Sequence, residues 1–222
     1  MNENLAAEEN LGTIRGLFER ATIYRGIAAR VALVGGTLSI LTASAIFVND
    51  EVTRFLDRPV RPREFAFAWL DILLLTVILS ALFLWRAARD NADVFGSVRM
   101  KLALRVIAPS VLIPAAFTGW FFGSGYLGAA ELDVVAVWIA FYGLLLLSTA
   151  IFAPRSIATL GWAFLLTGLA VPLLADKIDN WTGSAPTVLM GVTFGVYHLV
   201  FAALNWRRIA ETKTNSSTDF TD

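Results

Sequence analysis

Six apolar stretches, each about twenty residues long and nearly free of charge, fill most of this 222-residue chain. They lie at 31–48, 66–85, 106–126, 134–152, 156–175 and 185–206. At about 1.5 Å of rise per residue, a helix of that length matches the roughly 30 Å hydrocarbon core of a bilayer. Inside that core every backbone N–H and C=O needs a partner within the protein, and a helix supplies all of them within one segment. The pattern therefore predicts an all-α polytopic membrane helix bundle with six transmembrane helices.

Composition excludes the soluble alternative. Hydrophobic residues make up 57% of the chain and charged residues only 16%, against about 25% charged in an ordinary soluble domain. A soluble fold this apolar would leave large exposed patches, whereas lipid solvates them. The 18 basic and 18 acidic residues balance, so overall charge gives no sign of nucleic-acid binding. The chain has no cysteine, which removes disulfides, thiolate metal sites and cysteine nucleophiles. The polar, acidic start MNENLAAEEN, followed by a first apolar run near Val31, does not fit a cleavable secretory signal.

Between the apolar runs, local composition sets the domain plan. Residues 1–10 read as a disordered start. Residues 11–29 place Leu11, Ile14, Leu17, Phe18, Ala21, Tyr24 and Ile27 at three- and four-residue spacing, with Arg15, Glu19, Arg20 and Arg25 between them. That predicts an amphipathic helix lying on the cytoplasmic interface. The six-span domain covers 30–208, and the polar tail 209–222 reads as disordered. Gly35, Gly36, Ser39 and Ala43 in the first span are small residues that let another helix approach closely. Pro109 and Pro114 predict a kink in the third span.

Basic residues set the threading. With the N-terminus inside, 13 Lys and Arg fall on cytoplasmic segments and 5 on outer ones. The positive-inside rule then places both termini in the cytoplasm, N-in and C-in. Trp85 and Trp206, each followed by Arg, suit an inner aromatic belt. The expected location is a cell membrane, a prokaryotic inner membrane by general appearance. One short similarity joins residues 108–113 to 185–190, as an inverted repeat would, but six apolar residues match readily by chance.

Candidate chemistry is sparse. Only Asp71 and His198 interrupt the apolar runs well away from their ends. An ionisable group near the bilayer centre costs at least about 2.5–3.5 kcal/mol on insertion scales, which makes both the candidate polar or proton site. The plainer alternatives are a pairing of Asp71 with Arg63 or another nearby arginine, and a neutral His198 hydrogen-bonded across helices to a hydroxyl or a backbone carbonyl. Arg54, Arg58, Arg61 and Arg63 stand on the outer side and are candidate anion or headgroup contacts; their own neighbouring acids are the competing partners. Phe122-Gly123-Ser124-Gly125 lacks the Gly-x-Ser-Gly spacing of an intramembrane serine protease, and His198 lies about 20 Å from it in depth at helical rise. One histidine and no cysteine exclude a multi-His zinc site within the chain.

No catalytic, cofactor or metal constellation emerges, so the expectation is a non-enzyme. The leading function is a sensory, regulatory or accessory subunit acting through a cytoplasmic or membrane protein partner. A small secondary transporter or channel-like carrier using Asp71 or His198 is the alternative, and a lipid-active membrane enzyme the third. The bilayer is the constant partner, and a homo-oligomer is compatible with all three; nucleic acid is not expected.

Overall fold

The computed structural model describes residues 26–50, 52, 62–90, 98–124, 131–149, 155–179 and 184–207. The described residues form six helices and no strand: α1 Gly26–Asp50, α2 Pro62–Asp90, α3 Val98–Ser124, α4 Glu131–Thr149, α5 Arg155–Asp179 and α6 Ala185–Arg207. Five of them are long and apolar enough to cross a bilayer. In α3 the described apolar part is the shorter Val111–Ser124. The expected disordered ends, most of the amphipathic helix 11–29, and Arg54, Arg58 and Arg61 lie outside the described residues.

The packing alternates in direction. One cluster joins the starts of α2, α4 and α6 through Phe65, Trp69, Val135, Ile139 and Met190, with Ala43 and Ile46 from the end of α1 against it. A second brings Phe121, at the end of α3, against Ala66 and Val134 at the starts of α2 and α4. A third, at the opposite end of the bundle, joins Ala32 of α1, Ile157 and Leu160 of α5, and Phe201 and Ala202 of α6. Successive helices therefore run up and down, as short connections between antiparallel neighbours require.

Small residues set the closest contacts. A methyl group on Gly143 of α4 would stand 2.5 Å from the Leu165 nitrogen of α5, and one on Gly168 would stand 2.5 Å from the Ala140 nitrogen. These distances fit only where hydrogen replaces carbon, and they let two backbones meet without a side chain between them. The expected small-residue face of the first span also forms. Gly36 lies against Gly195 and His198, and Ala43 against Gly191.

Helix ends follow local chemistry. Pro62 opens α2 and Pro186 sits in the first turn of α6, where a missing N–H costs nothing. Past its apolar run α2 continues through Arg86 to Asp90. Arg89 folds back over the Trp85 ring, 4.1 Å from its centroid, a cation–π contact at i, i+4. Pro109 and Pro114 both lie within continuous α3, and Pro172 lies within α5.

The outer surface is greasy. Leu41, Leu74, Leu112, Trp162, Leu169 and Leu204 are all exposed, and Leu173 is 85% exposed. Side chains of this kind spread around a bundle are stable in lipid and costly in water.

Candidate functional site

His198 sits in an aromatic cluster built by α4, α5 and α6. Its foundation is a change of helix type. Gly191–Tyr197 is π-helical, with α-helix before and after it. The i→i+5 pattern inserts an extra residue into the turn and redirects the side chains beyond it. Gly191 and Gly195 face α1 at close range, which leaves Phe194, Tyr197 and His198 to meet α4 and α5. Phe164 of α5, fully buried, is the hub. Its ring centroid lies 4.8 Å from Tyr142, 5.2 Å from Phe194, 5.4 Å from His198 and 5.5 Å from Tyr197. All four contacts are edge-on, the arrangement in which ring quadrupoles attract.

Both nitrogens of His198 are engaged. Nδ1 lies 3.0 Å from the Phe194 carbonyl and Nε2 2.8 Å from the Tyr142 hydroxyl. A carbonyl only accepts, so Nδ1–H donates to it. In a neutral ring Nε2 then accepts from the Tyr142 O–H, a tautomer assigned from the network. The imidazole thus ties α6 to α4, as the plainer sequence reading expected.

Among the described residues three further polar bridges cross between helices, and none was singled out in the sequence. Trp138 Nε1 donates to Thr118 Oγ1 at 2.7 Å, joining α4 to α3, while the Thr118 hydroxyl donates to the Pro114 carbonyl. The Tyr197 hydroxyl meets Thr167 Oγ1 at 3.0 Å, and Thr167 donates in turn to Ala163 O. Ser156 donates to Asn205 Oδ1 at 3.1 Å, and Asn205 Nδ2 donates to Phe201 O; Asn205 is 1% exposed. The available signal was a scatter of uncharged polar residues within apolar runs, the usual cross-helix glue of membrane bundles. Trp69 Nε1 is buried without a hydrogen-bond partner among the described residues.

Asp71 lies elsewhere and points the other way. It is exposed on α2, with exposed leucines at Leu73, Leu74 and Leu75. No hydrogen bond or ion pair to it occurs among the described residues, so the link to Arg63 is not made, and the other candidate arginines, Arg54, Arg58 and Arg61, lie outside those residues. Arg63 itself is exposed near the start of α2. Eight residues separate the two, about 12 Å along a helix axis. A charged carboxylate at that depth costs about 2.5–3.5 kcal/mol on insertion scales. Asp133 is exposed at the start of α4. Ser124 donates to its own Phe121 carbonyl and not to His198.

No group of three or more His, Cys, Asp or Glu that could hold a metal ion occurs among the described residues. No family model, curated protein or solved structure matches the chain. Fold and surface together define an all-helical integral membrane protein with several apolar helices long enough to cross the bilayer. Some of its polar side chains hold those helices to one another, and others bond a carbonyl of their own helix.

Proposed function

We propose that the chain is a six-span integral membrane subunit, with both termini cytoplasmic, that acts through a protein partner and carries out no chemistry of its own. The observation that supports this is the contrast between its two intramembrane ionisable groups. His198 spends both nitrogens on holding α4 to α6 inside a packed aromatic cluster. Asp71 has no partner within the described chain and is presented outward. A transport or catalytic centre would instead gather such groups around one accessible cleft. The alternating helix directions and the 13-to-5 distribution of basic residues support the N-in, C-in threading. A prokaryotic inner membrane is the compartment this reading carries.

The test is cross-linking in native membranes with a membrane-permeant reagent, followed by identification of the products. A defined heteromeric complex at constant stoichiometry is expected. Self-contacts alone, or no product, would overturn the reading.

One observation favours a second reading, a small carrier gated at His198. The seven-residue π-helical segment lies directly before that histidine, and π segments are frequent at functional sites. Solute or proton flux through vesicles containing only this chain, abolished by Tyr142→Phe, would establish it in place of the first.

A further inference from the structure

The stripe of α2 that carries Asp71 is exposed in the folded chain. Leu74, Leu75 and Ile78 follow Asp71 at the third, fourth and seventh positions, and all are exposed, Leu74 at 59%. That spacing places the four on one helix face. The face is apolar apart from the carboxyl, and the carboxyl has no partner among the described residues. Asp71 lies about 12 Å along the axis from Arg63 at helical rise, and fourteen residues still separate it from Trp85 at the other end of the apolar run. One methylene is too short a stem to carry the group to water from there. What would stabilise it is a cation at the same depth.

A second copy of this chain cannot supply that cation. The six apolar runs contain no Lys or Arg, and their one imidazole, His198, is engaged with Tyr142 and Phe194. A two-fold contact through this stripe would set Asp71 against its own counterpart, carboxyl against carboxyl. The stripe also lacks the small residues at four-residue spacing that let α1 approach α6 closely. Charge complementarity therefore selects a different molecule.

We propose that the Asp71–Leu74–Leu75–Ile78 face of α2 docks a transmembrane helix of another polypeptide, one that carries a Lys or Arg side chain opposite Asp71. The proposal rests on the subunit reading and names the chemistry of its partner. In lipid such a pair is attractive because neither charge has water to return to, and it fixes the depth at which the two helices meet.

The test uses the full chain in phosphatidylcholine vesicles. The absence of native cysteine lets Leu74→Cys report contact by disulfide formation. The probe is a synthetic polyleucine transmembrane peptide with one central Lys and a neighbouring Cys. Control peptides replace the Lys by Leu or by Glu. The Lys peptide is expected to cross-link about tenfold more than the Leu peptide, a ratio equivalent to about 1.4 kcal/mol. Adding Asp71→Asn should erase that preference, and Asp71→Lys should transfer it to the Glu peptide. Because Asp71 is exposed, these variants should keep the wild-type circular dichroism and elution, which checks that folding is intact. Equal yields with the Lys and Leu peptides, or a preference that survives Asp71→Asn, would refute the proposal. Efficient self-cross-linking of Leu74→Cys without peptide would assign the face to a second copy and also refute it. The two readings separate cleanly. A heteromeric complex in native membranes with no Lys-peptide preference leaves the subunit reading standing and this docking face wrong.

Discussion

Removing the hydroxyl of Tyr142 should destabilise the bundle, and removing His198 as well should cost less than the two single losses added together. The Tyr142 O–H to His198 Nε2 contact is 2.8 Å and joins α4 to α6. In Tyr142→Phe the ring keeps its packing against Phe164 and Phe194, so the change isolates one hydrogen bond. It leaves Nε2 without a donor inside the aromatic cluster. An orphaned buried group costs about 1–3 kcal/mol, more than the net worth of the bond it lost. His198→Phe alone leaves the Tyr142 hydroxyl orphaned instead, with a similar expected loss of about 1–3 kcal/mol. In the double variant both polar ends are gone and two apolar rings face each other. Its loss should be smaller than the sum of the singles by about 0.6–1.7 kcal/mol, the coupling that cross-helix hydrogen bonds show in bilayers. The assay is equilibrium unfolding of the four proteins in bicelles. Strict additivity, or a Tyr142→Phe variant as stable as wild type, would mean that Nε2 finds its partner in something other than Tyr142. The structural role assigned to His198 would then fail.

The remaining expectations concern the helix contacts. Gly143→Ala and Gly168→Ala each place a methyl group 2.5 Å from a backbone nitrogen of the neighbouring helix. Each should lower stability in the same assay by about 1–3 kcal/mol, the usual cost of overpacking. Gly119→Ala meets nothing within 4 Å and should leave stability unchanged or slightly raised; equal behaviour of all three would contradict the α4–α5 geometry. Asn205→Ala strips the Ser156 hydroxyl of its acceptor and should cost about 1–3 kcal/mol, with no loss expected if Asn205 faced lipid.

The sequence carried the helices more clearly than the contacts between them. Twenty-residue apolar runs read directly as helices because lipid leaves the backbone no other way to satisfy itself. The small face of Gly36 and Ala43 was legible for the same reason, since only small residues let backbones touch. Direction of packing, however, is not encoded in hydropathy, because lipid-facing and protein-facing leucines are alike. Nothing in the apolar pattern separates Leu74, which is exposed, from Ile139, which is fully buried. His198 and Asp71 therefore looked alike in the sequence, two polar groups in grease, although one is enclosed by aromatic rings and the other is outward. The π-helical turn ends directly before His198, and its Gly191 and Gly195 seat against α1. That is a tertiary contact with no local signature.

Collision accessibility reads the outward placement of Asp71 with no partner present. Nitroxide side chains would be placed singly at positions 71 to 78 of α2 and the protein reconstituted alone in lipid vesicles. Oxygen, which partitions into lipid, should relax labels at 71, 74, 75 and 78 strongly, while a water-soluble nickel complex should not reach them. High nickel accessibility at position 71 would place it in an aqueous cavity and contradict the account.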